Sequence, residues 1–379
     1  TVTLSAEQWA GLSNINLVSG TDVLNVNVSG AVDISAAAAT TVINVDTGNL
    51  TGTAADDSIT LTGTQLDAIL IGSGTINLGA GTGDTINLTS TSTDLNTLGG
   101  TDASIQGVEV VSAAGPAAGV TISLANQIEG FRIVGSANAD SLTGGSGADT
   151  IVGAQNDTLL SGGGGTDTLE IGSNFNDVNN AQITGIENVL LTAAVTLNLG
   201  DQIEGFTITG SSGADSITGG AGNDIIVGAQ NDTLLDGSGG TDTLQIDANF
   251  TSTSNAQIAN IEKIVLTAGV TLDLSNQTEG FSITGSASAD TIIGGSGADI
   301  IFSSGGNDTF VVSHTGDSVT ETTGGGAATV ESSINWALGA NINKLVLTGS
   351  ANLYGSALMG NNLLIGNSGN SILSSGIGA

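Results

Sequence analysis

Eleven aspartates carry the chemistry that this sequence could do. Asp140, Asp149, Asp157 and Asp167 are spaced 9, 8 and 10 residues apart, and Asp215, Asp224, Asp232 and Asp242 repeat that spacing. Asp290, Asp299 and Asp308 follow at intervals of 9 and 9. Carboxylates that recur so regularly are brought together by any repeating fold, and like charges held together raise each other's energy. The chain cannot neutralise them itself. It has 36 Asp and Glu against 3 Lys and Arg (Arg132, Lys263 and Lys344), a formal charge of −33. Cysteine is absent, so neither a disulfide nor a thiolate metal site can brace the fold. A metal ion bound through oxygen is the staple that remains. The same charge excludes a protein that grips nucleic acid through its phosphates.

The elements that must position these aspartates are short. Each aspartate follows a glycine-rich run and precedes a small or β-branched residue and then Ile, Leu or Phe, as in "GGSGADTIV" at 144–152 and "GGAGNDIIV" at 219–227. Glycine turns the chain and lets backbones approach closely. The residues after the aspartate form a brief strand with one inward apolar side chain. Phe131, Phe206 and Phe281 mark a longer period of 75 residues, and 131–205 matches 206–280 at 48 of 75 positions. Fixed-period self-similarity predicts a solenoid whose repeats bury their faces on one another.

Composition supports a packed chain. Apolar residues make up 39% and mean hydropathy is +0.27, too apolar for a disordered polyanion. The 59 glycines come with a single proline, Pro116, which excludes collagen. No apolar run reaches the ~18 residues of a membrane helix. The chain opens on Thr1, so no targeting signal is readable.

The glycine and aspartate segments resemble the nonapeptide G-G-x-G-x-D-x-U-x of RTX proteins, secreted bacterial proteins that bind calcium. The matches are 144–152, 219–227 and 294–302, with looser copies starting at Gly135, Gly162, Gly210, Gly237 and Gly285. The resemblance implies an all-β fold, a parallel β-roll or β-helix solenoid with two nonapeptides per turn and calcium ions between turns. It implies that loop 135–140 stacks on 153–157 and loop 144–149 on 162–167. In the next copy, 210–215 would stack on 228–232 and 219–224 on 237–242. Its metal-site residues would be the eleven aspartates together with Gly144, Gly147, Gly219, Gly222, Gly294 and Gly297, where the bent backbone aims carbonyls at the ion. The chemistry suits this, since calcium takes six to eight oxygens at ~2.3–2.6 Å. The loop "GAQND" at 153–157 and 228–232 is one residue short, which predicts an imperfect partner. At Asp57 and Asp84 the surroundings match poorly, and a metal-free turn explains them equally well.

Five segments follow. Residues 1–50 carry no aspartate ladder and form an end cap or metal-free coils, with Ser5 and Gln8 closing a capping box on a short helix. Residues 51–130 are a degenerate repeat unit, and 131–205 and 206–280 are full units. Residues 281–379 hold a third nonapeptide block, a spacer (317–358) and the start of a further block at 360–373, which stops at Ala379 as if the natural protein continued. Alternation at Val189, Leu191, Val195, Leu197 and Leu199 predicts half-buried strands between the nonapeptides. Each 75-residue unit then makes about four coils, rising ~19 Å at the usual strand spacing.

No catalytic site is expected. The one histidine, His314, sits beside Ser313 and near Asp317 on one stretch of chain, where no triad converges, and reads as an exposed loop residue. Sugar-cleft aromatics are scarce, and the recurring phenylalanines read as core. The favoured function is a secreted, calcium-binding structural protein of the bacterial surface: a surface-layer subunit, adhesin stalk or filament that folds and assembles on calcium. Its expected partners are calcium, copies of itself and, as a further candidate, cell-surface polysaccharide. The alternatives are a calcium-folded export module of a secreted enzyme or toxin, and an ice- or glycan-binding face of Thr and Ser.

Overall fold

The computed structural model describes residues 1–16, 22–37, 41–43, 46–98, 104–113, 115, 118–153, 155–228, 230–358 and 361–375. Pro116 and the last residues, 376–379, lie outside them, as do Ala154 and Ala229 of the two short loops. The chain divides into two compact units, Thr1–Thr192 and Ala193–Ala379. Each is a parallel β-solenoid, as the repeat predicts.

In the first unit the nonapeptides form strands of three or four residues. Arg132–Val134 pairs with Thr150–Val152, and that strand with Thr168–Ile171 and then Asn188–Leu191. The intervening strands Ser141–Thr143, Leu159–Ser161 and Ile183–Thr184 build a second parallel sheet. Successive strands therefore alternate between two sheets, and two of them make one coil. Upstream, Ser58–Leu61, Thr85–Leu88 and Val110–Ala113 continue the first sheet.

The central side chain of each strand faces inward. Leu142, Ile151, Leu160 and Leu169 are fully buried, each contributing about 1.5–3 kcal/mol by leaving water. Phe131, Val189, Leu191 and Phe175 are buried too. The expected helix is present as Ala6–Ala10 with the Ser5–Gln8 capping box. A second helix, Gly63–Ile69, carries the same device through Thr62 and Gln65. Its "TGTQ" reads as one more turn in a Gly/Thr-rich stretch, and the sequence reading passed over it.

The second unit repeats the scheme. Thr207–Thr209, Ile225–Val227, Thr243–Ile246, Lys263–Leu266, Ser282–Thr284, Ile300–Ser303 and Ser318–Glu321 form one parallel sheet. Thr196–Asn198, Ser216–Thr218, Leu234–Asp236 and Ile258–Ala259 lie in another. Thr271–Asp273, Thr291–Ile293, Thr309–Val312, Ala328–Ser332 and Ile342–Leu347 make a third. Phe206 and Phe281 are core residues, as their recurrence predicts, and so are Val195, Leu197 and Leu199, as their alternation predicts. The spacer at 317–358 is thus built into the coils.

Candidate metal centre

In each unit, strands of the first parallel sheet are entered through a corner residue whose main-chain N–H donates to a side chain of the next coil. In the first unit Phe131 N–H donates to Asp149 Oδ1 (2.7 Å), Asp149 N–H to Asp167 Oδ1 (2.7 Å) and Asp167 N–H to Glu187 Oε2 (2.8 Å). In the second, Phe206 donates to Asp224 (2.7 Å), Asp224 to Asp242 (2.7 Å) and Asp242 to Glu262 (2.8 Å). Phe281 N–H donates to Asp299 Oδ1 (2.9 Å) and Asp299 N–H to Asp317 Oδ1 (3.0 Å).

The second corner works alike. Val120 N–H donates to Asp140 Oδ1 (2.6 Å) and Asp140 N–H to Asp157 Oδ1 (3.0 Å). Val195, Asp215 and Asp232 repeat this at 2.8 and 2.9 Å, and Val270, Asp290 and Asp308 at 2.9 and 2.8 Å. Gln182 and Gln257 end these columns, each Nε2 donating to the carbonyl of Asp157 or Asp232 at 2.7 Å.

The loop stacking implied by the resemblance is therefore present: Asp140 lies over Asp157, Asp149 over Asp167, Asp215 over Asp232 and Asp224 over Asp242. All eleven aspartates are buried, none more than 2% exposed. Sequence reasoning missed Glu187, Glu262, Asp317, Gln182 and Gln257. The 75-residue period was a signal for four of them, since Glu187 and Glu262, like Gln182 and Gln257, are one period apart, the glutamates on one corner and the glutamines on the other.

The loops gather oxygen. A β-carbon added at Gly144 would strike both Asp149 Oδ2 and the Gly162 carbonyl oxygen, and one at Gly219 both Asp224 Oδ2 and the Gly237 carbonyl. At Gly294 it would strike Asp299 Oδ2. At Gly147, Gly222 and Gly297 it would collide with the backbones of Glu129, Glu204 and Glu279 in the neighbouring coil. These glycines serve as close-approach points between coils. Among buried side-chain atoms, Asp84, Asp167, Asp232, Asp242 and Asp299 each carry an Oδ2 with no hydrogen-bond donor. Among the described residues no three acidic or imidazole side chains gather at one point. An ion here would be held by carboxylates from stacked loops and by main-chain carbonyls. This all-oxygen donor set fits calcium and offers nothing to a soft metal.

The electrostatics point the same way. Burial raises the carboxyls of Asp149, Asp224, Asp232 and Asp299 to about 6 against 3.8, with the facing aspartate adding to the rise. Asp167 and Asp242 are raised by burial and by Glu187 and Glu262 respectively. Asp57 behaves in the opposite way. Burial pushes it up, but the N–H groups of Thr53 and Gly30 and the Thr53 hydroxyl outweigh this and hold it below its usual value.

The short loops keep their place in the columns, because Asp157 and Asp232 accept as their neighbours do. The space beside Gly153, however, is filled by the Leu160 and Leu169 side chains and not by a carboxylate. Asp84 joins Asp57 in a column, with Asp57 N–H donating to Asp84 Oδ1 (2.6 Å). His314 is half-buried rather than exposed. Its Nδ1 accepts from Gly316 N–H (3.1 Å), while the Ser313 hydroxyl donates to the Gly295 carbonyl (3.0 Å).

Comparison with protein families matches the RTX calcium-binding nonapeptide repeat in four copies, at residues 132–169, 207–235, 282–310 and 357–379. Searches of curated proteins and of solved structures returned no match.

Proposed function

From the premise that this chain is an RTX calcium-binding repeat protein, we propose that it is secreted and serves, without catalysis, as a structural element of a bacterial cell surface that folds and assembles on calcium. One observation carries the reading: buried aspartates stack coil after coil, with burial raising Asp149, Asp224, Asp232 and Asp299 to about 6, in a chain that has only 3 Lys and Arg against 36 Asp and Glu. Such a column is unfavourable at neutral pH without a counter-ion.

Asp140, Asp149, Asp157, Asp167 and their equivalents at 215–242 and 290–308 would hold calcium, with carbonyls from the glycine loops completing the set. Bound calcium cancels charge and ties each coil to the next. Because the paired loops face each other only in the folded chain, binding free energy becomes folding free energy. Extracellular calcium modules work at 10⁻⁴–10⁻³ M, so the chain would stay loose inside a cell and fold outside it.

A surface-layer subunit, adhesin stalk or filament suits a chain whose repeats occupy most of its length. Negative-stain microscopy and light scattering across a calcium titration test this. Ordered assemblies that grow with calcium support it. Compact monomers at every calcium concentration would refute assembly and favour the export module of a larger secreted protein.

A further inference from the structure

We infer that the corner where each nonapeptide block gives way is a further calcium site, formed by Asp167, Glu187 and the Gly185 carbonyl in the first unit and by Asp242, Glu262 and the Asn260 carbonyl in the second. The inference rests on the calcium reading above. Glu187, Glu262 and Asp242 lie outside the residues that match the nonapeptide repeat.

Asp167 and Asp242 are 0% and 1% exposed, and each has an Oδ2 that receives no hydrogen bond. Gly185 (φ 57°) and Asn260 (φ 50°) are left-handed. That turn brings their carbonyl oxygens over Gly162 and Gly237. A β-carbon at Gly162 would strike both Asp167 Oδ2 and the Gly185 oxygen, and one at Gly237 both Asp242 Oδ2 and the Asn260 oxygen. Two acceptor oxygens thus face one small space with no donor between them, an arrangement that costs free energy unless a cation lies there.

The glutamate closes the site from the solvent side. Its Oε2 is fixed by the aspartate N–H at 2.8 Å in both units. Its other oxygen is left for an ion, and its exposed position lets water complete the shell. The pairing recurs at Asp84 and Glu109, again at 2.8 Å, beside left-handed Gly107 (φ 55°) and again with an unpartnered Asp84 Oδ2. Three occurrences on one corner, each followed by a strand with no nonapeptide, identify a built feature.

The test is equilibrium dialysis of the full chain against calcium, counting ions per chain at saturation. Glu187→Gln with Glu262→Gln keeps an oxygen to accept the aspartate N–H, so the fold is retained. Glu7→Gln with Glu331→Gln removes the same charge elsewhere. The glutamate pair should bind two fewer ions than the parent, and the control pair as many as the parent. An unchanged count in the glutamate pair, or an equal loss in the control, overturns the extra sites while leaving the nonapeptide sites standing. A parent chain that binds no calcium overturns the reading beneath both.

Discussion

Asp224→Asn and Asp57→Asn should change places in order of severity when calcium is added. Asp224 accepts the buried N–H groups of Phe206 (2.7 Å) and Gly220 (2.9 Å). Asparagine keeps one acceptor and turns an amide donor towards the other N–H, forfeiting one charge-assisted bond worth about 1.5–3 kcal/mol. Against that, the ion-free fold holds this carboxyl at about 6 rather than 3.8. Relief of that penalty at neutral pH is worth about 3 kcal/mol at full strength, and about half of that once screening at the coil edge is counted. The two effects nearly cancel, so in chelator Asp224→Asn should sit within about 1 kcal/mol of the parent. Asp57 has no such penalty to relieve, because its donors already hold the carboxyl low. Its replacement should cost the full ~1.5–3 kcal/mol in chelator and in calcium alike. In calcium, Asp224→Asn also loses a ligand, and each tenfold loss of affinity removes about 1.4 kcal/mol of stabilisation at saturation. Urea unfolding followed by far-ultraviolet circular dichroism reads both, in millimolar calcium and in chelator with an osmolyte such as TMAO added to restore the ion-free fold. The reasoning is refuted if Asp224→Asn is the more damaged variant in chelator, or if calcium widens the deficit of Asp57→Asn instead.

Acidification of the ion-free protein from pH 7.5 to 5 should recover part of the β-sheet signal that chelator removes. Asp149, Asp224, Asp232 and Asp299 titrate near 6 when folded and near 3.8 when unfolded, so their contribution is fully present below about 4 and is lost as pH rises through 6. The calcium-loaded protein should weaken over the same interval, because protons compete for its ligands; parallel shifts in the two forms would contradict this. Gly222→Ala should destabilise by about 1–3 kcal/mol or more, because the added carbon meets the Glu204 and Gly205 backbone and neither coil can give. Gly239→Ala, with only ordinary contacts to Ala221, should change urea stability by less than about 0.5 kcal/mol.

Much of this architecture was legible because a nonapeptide writes its geometry into adjacent residues. Leu142, Ile151 and Leu160 are inward for the same local reason each time, and their aspartates stack because the coil length repeats. The Asp149–Asp167 and Asp224–Asp242 pairings were implied by the resemblance to the RTX nonapeptide, which the hydrogen bonds between stacked loops match. What escaped was the role of residues outside the nonapeptide. Glu187 and Glu262 sit within "GIEN" and "NIEK", which read as strand and turn, and only the fold shows them finishing the aspartate column. The hydrogen bonding of Asp57 was hidden too, since Gly30 is 27 residues upstream and belongs to no repeat copy. The helix at Gly63–Ile69 is too short for periodicity to announce, and only its capping box marks it.

The central claim is that calcium on the aspartate columns holds the solenoid together. Circular dichroism of the full chain in excess chelator, then after addition of calcium or magnesium, tests it most directly. The account predicts loss of the β-sheet signal in chelator, its recovery with calcium and no recovery with magnesium, which insists on octahedral geometry and keeps its waters. A β-sheet spectrum that is the same in chelator as in calcium would contradict it.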